Sequence, residues 1–270
     1  METKLTLLGT GTPIPDPERF GPSLAISAHE KVYIIDFGPG IVRRAVAAGI
    51  KPVQMTTAFL THMHSDHTTG YPDLIFTPAV EGRKQPLEVY GPQGLKSMTH
   101  HILTAYKMDI EERDKGLEPT SMDGYEVKVQ EINSGTIYSD NHITVEAIHV
   151  KHGSWPAYAL KFVTRDKTIV ISGDTAPTSN FLDFARNCDV LIHEVYSAVG
   201  LAKRNQDWIR YHSVYHTSSY ELGDIATKIQ PKLLILYHQL FMGRKEIDLL
   251  NEVREGYSGE VISGKDLDVF

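Results

Sequence analysis

Four residues able to hold a metal ion or move a proton fall within six positions of this chain: His62, His64, Asp66 and His67, in the run Thr61-His62-Met63-His64-Ser65-Asp66-His67. Imidazole and carboxylate donors together suit Zn²⁺, and also Mn²⁺ or Fe²⁺. Four such donors in one tight loop are too many to wrap a single ion, so two ions sharing the loop is the simpler reading. The alternative is a surface histidine cluster without a ligand role. The run directly follows an apolar strand expected over residues 57–60, which argues against that alternative, because sites gather on loops held by a rigid sheet.

Other candidates lie further along. Asp174 follows the apolar run 168–171 and is preceded by Gly173, so its carboxylate can reach out at a strand end; a turn aspartate is the plainer alternative. His238 closes the apolar run 233–237, with a core or helix-start histidine as its alternative. His149 and His152 are three residues apart and on a strand would face opposite ways.

Residues 61–70 (THMHSDHTTG) closely resemble the signature of the metallo-β-lactamase superfamily. Further matches follow in order. Leu7-Leu8-Gly9-Thr10-Gly11-Thr12-Pro13 resembles the opening strand and loop of the ribonuclease Z and arylsulfatase-like branch, and residues 15–23 look more like its arylsulfatase side. His152-Gly153 with Pro156-Ala157-Tyr158, Gly173-Asp174-Thr175, Leu191-Ile192-His193-Glu194, His216-Thr217 with Gly223-Asp224-Ile225-Ala226, and Tyr237-His238 resemble that branch's later motifs.

The resemblance implies an α/β fold (α+β by some schemes): an αββα sandwich of two mixed sheets with helices on the outer faces, as a single domain over residues 1–270. It implies two divalent ions, Zn²⁺ foremost. One would be held by His62, His64, His152 and Asp174, the other by Asp66, His67, Asp174 and His238, with Asp174 bridging. It favours His152 over His149, which is expected to pack or to support the ligands. It implies hydrolysis by a metal-bridging hydroxide. Asp66 would orient or deprotonate the nucleophile. His216 would stabilise the transition state or protonate the leaving oxygen, and Glu194 would hold its tautomer.

One departure bears on the substrate. Ribonuclease Z inserts a long tRNA-gripping arm between the ligands matching His152 and Asp174, whereas this chain has 21 residues there, enough for two strands and a turn. The only other candidate arm, 107–124, is acidic. The leading expectation is therefore a hydrolase of small phosphodiester or aryl sulfate-type esters. A tRNA 3′-processing endonuclease, a lactone or β-lactam hydrolase, and a non-catalytic metal-binding protein are the alternatives. Cys188 fits no ligand pattern, which sets the β-lactam reading low.

The elements that must position these residues are short strands expected at 4–8, 23–26, 32–35, 57–60, 87–90, 126–131, 143–150, 157–164, 168–172, 190–193 and 232–237. Helices are expected at 41–49, 94–112, 181–186, 218–229 and 245–254, and a charged loop at 111–124. The order is mostly β with a helix every few strands, twice over. His193 is expected to be structural, and His29, His100, His101, His142 and His212 to face solvent or pack. Ser65, Thr68 and Thr175 are candidate donors to the ligands. Tyr71, Phe76, Trp155, Tyr196 and Phe241 could line a pocket.

The chain has 270 residues, a net charge of −7 and one cysteine. The acidic balance speaks against an electrostatic nucleic-acid binder, and one cysteine excludes an intramolecular disulfide. No apolar run approaches the ~20 residues needed to span a membrane, and the N-terminus reads as a strand rather than a signal peptide. The expected setting is the cytoplasm with no membrane partner. Apolar stretches near 71–80 would permit a homodimer.

Overall fold

The computed structural model describes residues 2–119 and 121–270. They divide into two compact units, the first formed by the described residues within 2–9, 13–132 and 265–270, the second by 10–12 and 133–264. The first carries β1 (Lys4–Gly9), β2 (Ser23–Ala28), β3 (Lys31–Ile35), α1 (Ile41–Ala47), β4 (Met55–Phe59), α2 (Ser65–Thr68), α3 (Tyr71–Val80), β5 (Leu87–Gly91), α4 (Leu95–Ala105), α5 (Lys107–Lys115) and β6 (Val127–Glu131). The second carries β7 (Gly135–Ser139), β8 (Ile143–His152), β9 (Trp155–Thr164), β10 (Thr168–Ile171), α6 (Ser179–Ala185), β11 (Val190–Tyr196), α7 (Ala198–Leu201), α8 (Gln206–Tyr215), α9 (Ser219–Ile229), β12 (Leu233–Leu240), α10 (Glu246–Gly256) and β13 (Val261–Ser263).

Each unit is built on one mixed sheet. In the first the six strands lie in chain order. β1, β2 and β3 pair antiparallel, then β3 to β6 run parallel. The C-terminal tail covers the β1 edge through Leu5 N to Phe270 O and Leu7 N to Asp268 O, both 2.9 Å, so that edge offers no free ladder to another chain. In the second sheet the order is β13-β12-β11-β10-β9-β8-β7. β7 to β10 are antiparallel, while β10 to β13 are parallel. The twice-over alternation in the sequence is therefore two sheets of the same plan.

Parallel strands buried on both faces explain the apolar runs. Leu234, Ile235 and Leu236 of β12 and Leu191 and Ile192 of β11 are wholly buried. The first unit packs its sheet against α1 and α3 through Ile34, Ala58, Ile41, Leu74 and Ile75. Arg83 is buried there and donates to the carbonyls of Met55, Leu74, Ile75 and Gly124 at 2.8 to 3.2 Å. In the second unit Glu252 of α10 accepts from Ser197 Oγ, Ser219 Oγ and Ala198 N, tying α10 to the segment after β11.

Two expectations need correction. The helix expected over 94–112 is two helices, interrupted at Tyr106, and α5 extends to Lys115 into the segment read as a loop. The charges of α5 favour helix locally: Arg113 pairs with Asp109 one turn back, 3.0 Å away. Thr120, within that segment, lies outside the described residues, as does Met1. The apolar stretch 71–80 is α3, with Tyr71, Leu74, Ile75, Phe76, Pro78 and Ala79 buried. α2, α3, α7, α8, β7 and β13 were not anticipated.

Candidate metal centre

In the first unit, the end of β4 leads into Thr61, His62 and His64, and α2 carries Asp66 and His67. Two backbone bonds hold this loop against the end of β3: Phe37 N to His67 O, 2.8 Å, and Gly70 N to Phe37 O, 2.7 Å. Gly70 must be glycine, because a Cβ would run into the Gly38 carbonyl oxygen.

His62, Asp66 and His67 are buried and His64 is half-buried. The organiser of the loop is Asp36, buried at the end of β3 with φ +58°. Its Oδ2 accepts from His67 Nδ1 at 2.8 Å, and its two oxygens accept from Thr61 N at 2.8 Å and Thr61 Oγ1 at 3.0 Å. With its proton given to Asp36, Thr61 Oγ1 can only accept from His62 Nδ1, 3.1 Å away. Both imidazoles are thus set in the Nδ1–H tautomer, with the Nε2 lone pair as the donor.

His62 Nε2 then lies 3.2 Å from His64 Nδ1. Two nitrogens bound to one tetrahedral Zn²⁺ at ~2.0–2.1 Å each would stand about 3.3 Å apart, so this pair fits a shared cation. His67 Nε2 lies 3.6 Å from Asp66 Oδ2, a second imidazole–carboxylate pairing of the kind such ions take.

In the second unit, His152 ends β8, Asp174 follows β10, Glu194 lies in β11, His216 follows α8 and His238 lies in β12. All five are buried. His152 Nδ1 donates to Tyr215 O at 2.8 Å, which again leaves Nε2 as the lone-pair nitrogen. Gly153, with φ +61°, turns the chain beneath the Tyr215 ring, and any Cβ there would overlap that ring. A backbone bond from Ala176 N to Lys151 O, 2.7 Å, brings the Asp174 loop beside His152.

His238 is placed by a break in the ladder. Glu194 pairs with Tyr237 and Val195 with Gln239, so His238 is the extra residue of a bulge, with φ +43°. Bulges re-aim side chains in this way beside sites. Its Nε2 comes to 3.6 Å from Asp174 Oδ2.

Glu194 Oε1 accepts from His216 Nδ1 at 3.2 Å and from the N–H groups of Thr175 and Thr217, both at 3.1 Å. Burial, then the neighbouring Asp174 carboxylate, raises the Glu194 pKa well above the usual range. His216 Nδ1 also lies 4.0 Å from Asp174 Oδ2, and its ring is 5.1 Å from that of His152 and 6.1 Å from that of His238.

The sequence candidates thus fall into two sets, His62, His64, Asp66 and His67 in one unit and His152, Asp174, Glu194, His216 and His238 in the other. His193 is structural as expected: its Nδ1 donates to Glu194 O at 2.7 Å, and burial holds its pKa at about 4. His212 packs in a ring cluster, its pKa also about 4 through burial and the charges of His216, Arg204 and His238.

Several expected helpers are corrected. His149 is exposed, its ring beside Tyr158. Thr68 Oγ1 donates to His64 O and Thr175 Oγ1 to Ala176 O rather than to ligands, and Ser65 is exposed. Of the aromatics named for a pocket, Tyr71, Phe76 and Tyr196 are core, Phe241 packs against the core, and Trp155 is 41% exposed. Asp36 and Thr61 were missed as organisers. The signal for Asp36 was present: an aspartate directly after the apolar run Val32–Ile35, before Gly38.

Two mixed sheets of one plan, with histidines and aspartates at the strand ends, define a metallo-β-lactamase fold protein. The metallo-β-lactamase fold protein YhfI from Bacillus subtilis matches over 100% of both chains, with a TM-score of 0.77 and 21% identity. Human tRNase Z, short form, matches over 99% of this chain and 98% of its own, with a TM-score of 0.75 and 20% identity. A ribonuclease Z of Mycobacterium sp. (strain KMS) is 30% identical over 240 residues, 88% of this chain and 84% of the relative. The family model described as Anti-Pycsar protein Apyc1 matches residues 3–241, and the chain belongs to that family. It is a metal-dependent hydrolase of the ribonuclease Z-like kind.

Proposed function

We propose that the chain hydrolyses small phosphodiesters, with aryl sulfate-type esters as its nearest alternative class, at a centre of two divalent ions. His62, His64, His152 and Asp174 form one donor set, and Asp66, His67 and His238 the other, each residue offering one nitrogen or carboxylate oxygen; Asp174 would bridge. Neutral imidazoles and carboxylates make Zn²⁺ the first choice, with Mn²⁺ or Fe²⁺ next. Bound ions would supply Lewis acidity and a water acidic enough to attack at neutral pH.

The residues supply the rest. Asp36 and Thr61 fix the lone pairs of His67 and His62. Asp66 accepts the proton of the attacking water or orients it. His216, its Nδ1 held by Glu194, presents Nε2 to protonate the leaving oxygen. The Glu194–His216 contact beside Asp174 is the observation that carries the hydrolase reading, because it gives the centre an acid as well as ligands.

Small size is supported by the stretch between His152 and Asp174. β9, β10 and the turn joining them use it up, leaving no arm there to grip tRNA. The other candidate arm, α5, is exposed and rich in acidic residues, unsuited to phosphate backbones. The ribonuclease Z relative keeps a nuclease as the second reading.

The test is turnover by the Zn²⁺- and Mn²⁺-loaded protein on aryl phosphodiester, aryl sulfate, lactone, β-lactam and precursor tRNA. The aryl phosphodiester should be cleaved fastest. Efficient tRNA cleavage would overturn the small-substrate reading, and no cleavage of any ester would overturn the enzyme.

A further inference from the structure

None of the candidate ligands lies in the run 15–23, yet its end is joined by backbone contacts to the loop that carries four of them. Gly38 N donates to Pro22 O at 3.0 Å, and a Cβ on Gly38 would overlap the Gly21 carbonyl. The Gly38 carbonyl oxygen in turn lies where a Cβ on Gly70 would fall. Phe37, one residue earlier, bonds His67 O and Gly70 N. Residues 20–22, the turn 36–38 and the histidine loop 61–70 are therefore three backbones in direct contact. Contacts this close pass a shift from one layer to the next rather than absorbing it. Asp36, whose carboxylate sets the lone pairs of His62 and His67, sits in the middle layer.

Asp266 anchors the outer layer. Its Oδ2 accepts from Phe20 N at 2.9 Å and lies 3.5 Å from Arg44 Nη2. Arg44 donates from Nε to Leu8 O at 3.2 Å, and its guanidinium stands 4.7 Å from the centre of the Phe20 ring. The Asp266 side chain is only 4% exposed, so this is no solvent-screened surface pair. The segment that carries it is itself fixed to β1, with Leu267 N donating to Leu7 O at 2.6 Å and Phe270 N to Leu5 O at 2.8 Å. Covering the β1 edge needs only the backbone of that segment. It does not require a buried acid aimed at Phe20 N.

We propose that Asp266 is a positioning residue for the histidine loop. By fixing Phe20 it holds the turn 36–38, and through that turn Asp36 and the His67 backbone, where the metal ligands need them. Residues 265–270 act as a strap whose loosening lowers metal affinity. This rests on the metal-centre reading above.

Two measurements test it. The first is Zn²⁺ affinity of the chelator-stripped protein, read by competition with a chromophoric chelator. Asp266→Ala should weaken binding about tenfold. Asp266→Asn keeps an acceptor for Phe20 N but drops the charge facing Arg44, so its loss should be smaller. Asp268→Ala is the control, because the Asp268 carboxylate accepts from Lys265 N inside the strap; it should bind as the wild type does. Wild-type affinity in both folded Asp266 variants, or an equal loss in Asp268→Ala, would overturn the proposal.

The second is amide hydrogen exchange of the metal-free proteins, which reads the same linkage without an ion. Both Asp266 variants should exchange faster in 20–23, 36–38 and 61–70 and at the wild-type rate in β5 and α4. Faster exchange throughout the first unit, or in the strap alone, would make Asp266 a general stabiliser and overturn the proposal. If the wild type binds no Zn²⁺, the metal-centre reading falls, and the exchange pattern alone decides whether Asp266 positions the loop.

Discussion

Asp36 accepts a hydrogen bond from His67 Nδ1 at 2.8 Å, and through Thr61 Oγ1 the same carboxylate also sets the tautomer of His62. One buried residue, more than twenty positions upstream of the histidine run, therefore aims two of its lone pairs. Removing it should weaken metal binding without touching a ligand. Asp36→Asn should lower Zn²⁺ affinity by roughly 10–100-fold, read by competition with a chromophoric chelator; unchanged affinity would deny Asp36 this role.

His67→Ala removes a proposed ligand outright. Hydrolysis of an aryl phosphodiester should fall at least about a hundredfold, to be judged beside the metal content of the variant.

His216 has a different job. His216→Ala should lower kcat by roughly 10²–10⁴-fold while the protein keeps its metal, because the proposed role of His216 is to protonate the leaving group and not to ligate. A leaving group that needs no proton, such as p-nitrophenolate, should shrink the defect. Loss of metal in this variant would make His216 a ligand.

His193 ties stability to pH. Its folded pKa is about 4, below the ~6.5 of an unfolded histidine. Between those values the unfolded chain binds the proton and the folded chain does not. The stabilisation is full above about pH 6.5 and is lost as pH falls towards 4, on the order of 3 kcal/mol. Urea unfolding from pH 7.5 to 4.5 should show a slope smaller by up to one proton in His193→Gln than in the wild type.

Arg83→Met should destabilise the first unit by about 3 kcal/mol or more, since it removes the donor to four buried carbonyls at once. A urea midpoint unchanged from that of the wild type would contradict this.

What the sequence made legible follows from where the information sits. The candidate ligands stand next to apolar strand runs, so His62, His64, Asp66, His67, Asp174 and His238 could be read locally, and the two-fold alternation of strands and helices matched two sheets. Asp36 was overlooked because its partners are 25 and 31 residues away in the chain, a relation no local pattern displays. The bulge at His238 was equally invisible, since it is a register shift between β11 and β12. α8 escaped notice because its aromatic row breaks the usual polar outer face of a helix. Thr68 and Thr175 misled because a hydroxyl beside a ligand can turn instead to a nearby carbonyl.

The central claim is a two-ion centre that cleaves a small phosphodiester. Its most direct test is to strip the protein with a chelator and titrate Zn²⁺ or Mn²⁺ back while following hydrolysis of the aryl phosphodiester. Turnover should be absent without metal and should level off at two equivalents per chain. Full activity at one equivalent, or activity that survives the chelator, would contradict it.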